Sequence, residues 1–244
     1  MDAERAREAM VERISRAQTP PAPLIDAMAT VPRERFVETA PYGELPQRVD
    51  DSDVFAPATV AQLLAMAAPL PSQDETRVLV VGAGVGYTAA VLAELVGAAA
   101  VHAVDIDRRL VRRARRNLAR AGHAAVLVDC ADGADGYPLY APYDRIIVEA
   151  AAARVPPALL EQLTATGRLV LPLGGSDQQI VSVDATGEVR EAGPRVRLAP
   201  LLAPGEAPAG PIRNRTVRED SERADAAADR RHGWELEWID WSRR

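Results

Sequence analysis

Lysine is missing from this chain: all 29 of its basic residues are arginine. That excludes a phosphate-binding loop of the G-x-x-x-x-G-K-[ST] type, whose lysine reaches the terminal phosphates. The absence is itself a compositional bias of the sort a GC-rich genome produces, with or without adaptation to salt, and needs no functional cause. Cysteine is almost as scarce. Cys130 is alone, so no internal disulfide can form, and it follows an apolar stretch; it reads as a structural thiol in a reducing cytoplasm, and no catalytic cysteine is assigned. The three histidines, at 102, 123 and 232, lack metal-ligand spacing, which leaves no metal site to expect. No apolar run is long enough to cross a bilayer, and the first ten residues, MDAERAREAM, are charged and helical in pattern without a signal core, so a cytoplasmic protein with no membrane partner is expected. A net charge of −6 disfavours a nucleic-acid backbone as partner.

What is present is ordinary globular composition, 48% hydrophobic and 26% charged over 244 residues, which suits one α/β domain with terminal additions. Residues 1–70 read as helices interrupted by prolines at 20, 21, 23, 32, 41 and 46, a helical N-terminal cap outside the sheet. From Arg77 the pattern alternates. Apolar runs at 77–82, 101–105, 125–129, 144–149 and 167–172 predict strands, and helical spacing predicts helices at 87–96, 107–122 and 156–165. Such alternation implies a doubly wound, mostly parallel sheet covered on both faces. Segments 178–184 and 194–201, separated by the turn Ala185-Thr186-Gly187, read as a closing hairpin. The helix at 107–122 carries seven arginines, at 108, 109, 112, 113, 115, 116 and 120, while Leu110, Val111, Ala114 and Leu118 keep helical spacing; the arginines are expected to form a solvated face.

The chemistry concentrates in VLVVGAGVGY, residues 78–87, followed by a helical run and then by VHAVDID ending at Asp107. An apolar strand feeding a glycine loop and a helix, with a second strand that ends on an acid, is a nucleotide-binding βαβ unit. Gly82, Gly84 and Gly86 let backbone approach a ligand where a Cβ would clash, and Asp105 falls where a carboxylate accepts both ribose hydroxyls. The spacing is G-x-G-x-G, with Tyr87 where a dinucleotide fingerprint has its last glycine, which disfavours NAD as the missing lysine disfavours ATP. A nucleoside ligand without a pyrophosphate remains. The loop resembles the first motif of the S-adenosylmethionine (SAM) dependent methyltransferases.

Downstream strings narrow the resemblance. Ala131-Asp132-Gly133-Ala134-Asp135-Gly136, Ala141-Pro142-Tyr143-Asp144-Arg145-Ile146-Ile147-Val148, VPRERFV (31–37), VPPALLEQL (155–163), GRLVLPLG (167–174) and VRLAPLL (196–202) together closely resemble the protein-L-isoaspartate O-methyltransferase family over about residues 24–202. The resemblance implies a class I, Rossmann-like methyltransferase core over 71–203 with SAM as cofactor. It assigns Gly82, Gly84 and Gly86 to the methionine end, Asp105 to the ribose and Asp132 with Gly133 to the adenine, and counts Tyr87 and Ile106 among the cofactor-binding residues. Plainer roles exist, a helix N-cap for Asp105 and a turn for Asp132. It also implies the reaction, methyl transfer to the free carboxylate of an isoaspartyl residue in damaged protein, and hence isoaspartyl proteins or peptides as partners. A carboxylate with a pKa near 4 is ionised at pH 7 and needs no general base, so alignment is the main demand.

Three departures from the family pattern stand out. The family's substrate loop reads roughly L-P-I-G-x-G-Q-T-I-S-x-P, whereas residues 45–57 here are LPQRVDDSDVFAP; anchoring on Pro57 puts Phe55 at the serine, and a phenyl ring donates no hydrogen bond. The loop is about one residue longer, which leaves Ser52 and Asp53, ahead of Val54 and Phe55, as polar groups able to reach that place. No catalytic residue is assigned. The acid usual in the first strand is Val80, while the position after Ile147-Val148, usually threonine, is Glu149. Three readings of Glu149 follow: it replaces the lost carboxylate in the SAM site, it meets an acceptor without negative charge, or it pairs structurally with an arginine. Alternatives for the whole chain are an O-methyltransferase with another peptide or small-molecule acceptor and a SAM-binding protein without turnover. A nucleic-acid amino-methyltransferase fits less well, because Glu149-Ala150-Ala151 stands where such enzymes carry Asp or Asn before Pro-Pro and an aromatic.

The sequence closes with a Pro/Gly/Ala linker at 204–211, a Thr216-x-x-Glu219 capping pattern, a polar helix reaching Gly233, and Trp234, Trp238 and Trp241 at i, i+4, i+7. That stripe, in a helical tail over 204–244, reads as a docking face, onto this domain or onto a second copy in a dimer.

Overall fold

The computed structural model describes residues 3–49, 52–68, 70, 76–175, 177–196 and 201, so the linker, the capping pattern and the tryptophan stripe lie outside the described residues. Two helices open the chain, α1 (Ala3–Gln18) and α2 (Ala22–Thr30), the second started by Pro21 and ended at Val31. A small hairpin follows, β1 (Gln47–Val49) and β2 (Ser52–Val54), and then α3 (Pro57–Ala67), with proline in its first turn, where the missing N–H is no loss. The core alternates as β3 (Val78–Val81), α4 (Tyr87–Val96), β4 (Val101–Asp105), α5 (Arg108–Ala121), β5 (Leu127–Cys130), β6 (Tyr143–Val148), α6 (Pro157–Glu161) and β7 (Leu163–Leu173). It ends in β8 (Gln178–Asp184) and β9 (Val189–Val196).

The core strands form one seven-stranded sheet in the order β5-β4-β3-β6-β7-β8-β9, parallel through β7 and antiparallel for β8 and β9. Alternate residues of one strand serve opposite faces. Val78 and Val80 join a cluster with apolar residues of α1 to α5, while Leu79 and Val81 join a second with Ile146, Val148, Leu159 and Leu169. Because β3 is flanked by β4 on one side and β6 on the other, the strand order reverses there, and such a switch point leaves a crevice at the carboxyl ends of the strands.

Three sequence expectations are corrected. The stretch 1–70 is neither wholly helical nor a separate cap: β1 and β2 pair within it, its helices share the core of the sheet, and α3 lies along β6, β7, β8 and β9. The helix expected over 156–165 stops at Glu161, because the β-branched Thr164 and Thr166, followed by Gly167, suit the extended strand β7 that begins at Leu163. The last strand of the hairpin begins at Val189 rather than at 194, and residues 197–200 of the expected strand lie outside the described residues: Asp184 accepts hydrogen bonds from the backbone of Thr186 and Glu188, which closes the turn early, and Pro194 is tolerated because β9 is the edge strand of the described sheet. The arginine-rich helix is as expected, burying Val111, Ala114, Asn117 and Leu118 and exposing Arg108, Arg109, Arg112, Arg115, Arg116 and Arg120. Among the described residues no helix is long and apolar enough to cross a membrane, and no group of His, Cys, Asp or Glu could hold a metal ion.

Candidate functional site

The glycine loop leaves β3 and turns straight into α4. Gly82, Gly84 and Gly86 have φ of +89°, +51° and +92°, the left-handed region that a side chain resists. The first two loop amides, of Gly82 and Ala83, donate to the Val104 carbonyl at 2.9 Å, so the loop is laid over the end of β4. Its next amide, Gly84 N–H, donates to Asp105 Oδ2 at 2.8 Å, while Asp107 N–H donates to Asp105 Oδ1 at 2.9 Å. The N-cap of α5 is Asp107, whose side chain accepts from Arg109 N–H, so the plainer reading of Asp105 as a helix cap is set aside. Asp105 instead faces the loop across the mouth of the crevice, 7% exposed, and burial raises its pKa against the downward pull of those backbone donors. Ile106, half-buried, continues from it.

On the far side of β4, Asp132 follows β5 and accepts from Ala134 N–H at 2.9 Å, so the turn role holds. Gly133 beside it has no room for a side chain: an added Cβ would lie 2.3 Å from a Val81 methyl and 3.4 Å from Leu201. Leu201 is held at this place through its own backbone, donating to the Ala151 carbonyl at 2.8 Å. Cys130, at the end of β5, is exposed, with Sγ 3.6 Å from the Ile106 carbonyl, so it is a surface thiol at the strand ends rather than the packed one expected.

A cleft opens over the glycine loop, lined by Gly84 to Thr88, Glu149, Asp53, Phe55 and Arg33. Glu149 extends β6, its N–H donating to the Val81 carbonyl, and its Cβ lies 3.5 Å from where a Cβ on Gly82 would be. Strand pairing explains the juxtaposition: Val80 lies opposite Ile147 and Val81 opposite Val148, so Glu149 falls next to the first glycine. Its carboxyl is pushed up to about 7, first by burial and further by Asp105, against a hydrogen bond from Thr88 and the charge of Arg33. Glu149 Oε1 is shielded from solvent and accepts no hydrogen bond, and among the described residues Glu149 forms no ion pair, which removes the structural-pair reading.

That burial has a consequence for stability. Between pH 4.5 and about 7 the folded protein keeps a proton that an unfolded glutamic acid has released, so stability falls as pH rises through this window. Glu149→Gln removes the ionisation and keeps the shape. In ligand-free protein it is expected to add about 3 kcal/mol of unfolding stability at pH 8 and almost nothing at pH 4.5, as read from urea midpoints. Equal stability of the two proteins at pH 8 would mean that the carboxylate is well solvated.

Arg33 is the residue the sequence does not single out. It is fully buried, at 0% exposure, in the short helical turn Arg33–Arg35. Its Nε donates to the Pro41 carbonyl at 2.7 Å and Nη2 to the Phe55 carbonyl at 2.5 Å, and the guanidinium lies 4.3 Å over the centre of the Tyr87 ring. The Phe36 ring meets the same tyrosine edge-on. An arginine among Val31, Phe36 and Val37, all buried, is the available signal: a cation in an apolar run must find partners inside.

The substrate-loop expectations divide. Phe55 is 4% exposed and packed in the core, where it presents its carbonyl to Arg33 and an apolar ring to the cleft. Val54 is likewise buried. Asp53 is exposed and lines the cleft, and Ser52 Oγ lies 3.8 Å from the position of a Cβ on Gly84. Of the two polar candidates, Ser52 is thus the hydroxyl over the loop.

Comparison with known proteins agrees with this geometry. A sequence model of the protein-L-isoaspartate(D-aspartate) O-methyltransferase family matches residues 5–197. A protein-L-isoaspartate O-methyltransferase of Azoarcus sp. (strain BH72) is 40% identical over 82% of this chain and 94% of its own length. One of Methanosarcina mazei is 39% identical over 68% of this chain and 70% of its own. Among solved structures, a protein-L-isoaspartate O-methyltransferase superposes with a TM-score of 0.66 at 25% identity, covering 78% of this chain and 65% of that one. A Plasmodium falciparum methyltransferase solved with S-adenosyl-L-homocysteine shares the fold, with a TM-score of 0.72 at 18% identity over 80% of this chain and 98% of that one.

Proposed function

The chain belongs to the protein-L-isoaspartate O-methyltransferase family, SAM-dependent enzymes of protein repair, and from that premise we propose that its cleft moves a methyl group from SAM to the free carboxylate of L-isoaspartyl residues in damaged proteins and peptides. One observation carries the reading: a strand-end carboxylate, Asp105, facing a left-handed glycine loop across the switch point of a parallel sheet. The residues present fit the cofactor. Asp105 retains acceptor capacity for ribose hydroxyls, Asp132 stands at the end of β5, one strand beyond, on the side where the resemblance puts the adenine, and the loop from Ala83 to Tyr87 borders the cleft where the amino-acid arm would lie. When bound, SAM supplies an electrophilic methyl on a sulfonium.

The chain's own residues then have to hold the acceptor in line. The isoaspartyl carboxylate arrives ionised, so no side chain has to remove a proton. Ser52, above Gly84, offers a hydroxyl to that carboxylate in place of the serine that Phe55 displaces, and the Phe55 ring keeps water from the reacting atoms. The product ester can collapse to a succinimide and reopen as aspartate. The protein works in the cytoplasm, where an exposed thiol such as Cys130 stays reduced, and the acidic chain has no nucleic-acid partner.

A methyl-transfer assay on isoaspartyl and aspartyl versions of one peptide tests the reading. Turnover on the isoaspartyl form alone is expected, with Ser52→Ala lowering kcat/KM by about tenfold, the contribution of one hydrogen bond to a charged group. Binding of SAM with no turnover on either peptide would overturn it. The specific observation behind a second reading is the pair of acids at the cleft, Asp53 and Glu149, which favours an uncharged acceptor; turnover on a neutral amide or hydroxyl acceptor with none on the isoaspartyl peptide would select it.

A further inference from the structure

Seven arginines stand on α5, and three of them pair with acids: Arg109 with Asp107, the half-buried Arg113 with Glu38, and Arg115 with Asp129. The other four, Arg108, Arg112, Arg116 and Arg120, are exposed, and among the described residues no group accepts from their guanidinium nitrogens. At i, i+4, i+8 and i+12 they make one ridge of the helix, about 18 Å long. Like charges four residues apart repel, so the row destabilises its own helix until something anionic lies along it. Acids outnumber arginines in the chain, 35 to 29, yet among the described residues none is placed against this ridge.

A fitting anion is present in the same chain. All three tryptophans fall within residues 234–241, WELEWIDW, together with Glu235, Glu237 and Asp240 and no basic residue; Arg231-His232 and Arg243 bound the stretch. We propose that this acidic, aromatic segment docks on the arginine ridge of its own domain, with its carboxylates against Arg108, Arg112, Arg116 and Arg120 and its indoles stacked on their guanidinium planes. The chemistry of the two surfaces is complementary: a guanidinium takes a carboxylate in its plane and an aromatic ring on its face, so one ridge answers both features of the segment. The length of the connection suits it as well. Leu201 lies against Gly133 just past β5, and α5 is fastened to that strand where Arg115 donates to the Val128 carbonyl. Trp234 follows thirty-three residues after Leu201, and a random coil of that length spans about 30 Å. Tethering of this kind gives a millimolar effective concentration, at which weak individual contacts suffice. Docking there is independent of the reaction in the cleft, and it brings the segment to the crevice mouth, since the ridge begins three residues beyond Asp105.

The chain has no tryptophan elsewhere, so its tryptophan fluorescence reports on this segment alone. Quenching by acrylamide, a neutral probe, is measured on the full chain and on two variants, one carrying Arg108→Gln, Arg112→Gln, Arg116→Gln and Arg120→Gln, the other Glu235→Gln, Glu237→Gln and Asp240→Asn. Among the described residues the four arginine side chains hold nothing in place, so the first variant keeps the fold, which circular dichroism verifies. The parent is expected to quench about two- to threefold less readily than either variant, as a mostly docked tether requires, and combining the two sets should add nothing further. In about 1 M salt, where the Debye length falls to about 3 Å, the parent should approach the variants. Equal quenching of the parent and the arginine variant overturns the proposal: tryptophans open in both leave the ridge to an outside polyanion, and tryptophans shielded in both are packed elsewhere. Shielding that fades on dilution overturns it too, because it marks exchange between copies.

Discussion

Arg33→Met is expected to lower unfolding stability by about 3–5 kcal/mol and the thermal midpoint by about 10 °C. The variant keeps most of the side-chain volume but abandons two carbonyls, of Pro41 and Phe55, and removes the cation stacked on Tyr87. Each orphaned carbonyl loses the partner that offset its desolvation. Arg33→Lys should recover only part of the loss, because a single ammonium cannot reach two carbonyls and lie flat on a ring as a guanidinium does. Differential scanning calorimetry reads both variants directly. A midpoint within about 2 °C of the parent for Arg33→Met would mean that the guanidinium is incidental to the packing of the N-terminal segment.

Asp105→Ala should weaken SAM or S-adenosylhomocysteine binding by more than about 100-fold, since a carboxylate gripping two ribose hydroxyls makes two charge-assisted hydrogen bonds worth roughly 1.5–3 kcal/mol each. Fold is not the reason. Asp105 also receives the Gly84 and Asp107 amides, so the alanine variant loosens the loop, but both amides lie at the crevice mouth, within reach of water. Asp105→Asn separates the two effects by keeping one carbonyl acceptor for the loop while losing the charge; it is expected to unfold close to the parent's midpoint and still to bind at least about tenfold more weakly. Isothermal titration measures the affinity and circular dichroism the fold. Binding left unaffected in Asp105→Ala would refute the ribose assignment.

Legibility in the sequence follows the range of the interactions. The βαβ unit from Val78 to Asp105 is plain because strand, loop, helix and strand-end acid are all set by neighbours in the chain, and the helix predicted at 87–96 is α4 to the residue. Glu149 is visible as an anomaly, but its place beside Gly82 depends on the register between β3 and β6, which no local pattern encodes. Arg33 is hidden because its partners, at positions 41, 55 and 87, come from three separate segments. The hairpin of β1 and β2 is hidden for another reason: strands of three residues, with charge among them, carry too few positions to show alternation. Over 156–165 the pattern misleads, because Leu159, Leu160 and Leu163 keep helical spacing although Leu163 already pairs with Tyr143 as a strand residue.

The two halves of the crevice also differ in how firmly they are built. The loop after β3 is laid on a parallel ladder buried along its length, whereas β1 and β2 are three residues each, pair with one another alone among the described residues, and are fastened nearby through the Phe55 carbonyl. A two-stranded ribbon of that size opens locally at a small fraction of the global unfolding free energy. Damaged polypeptides differ widely in shape around the altered residue, and an entrance that breathes while the nucleoside end stays rigid admits them in turn without releasing the cofactor. Breadth of acceptors, on this architecture, is a property of mechanical compliance, set by how many hydrogen bonds fasten the doorway.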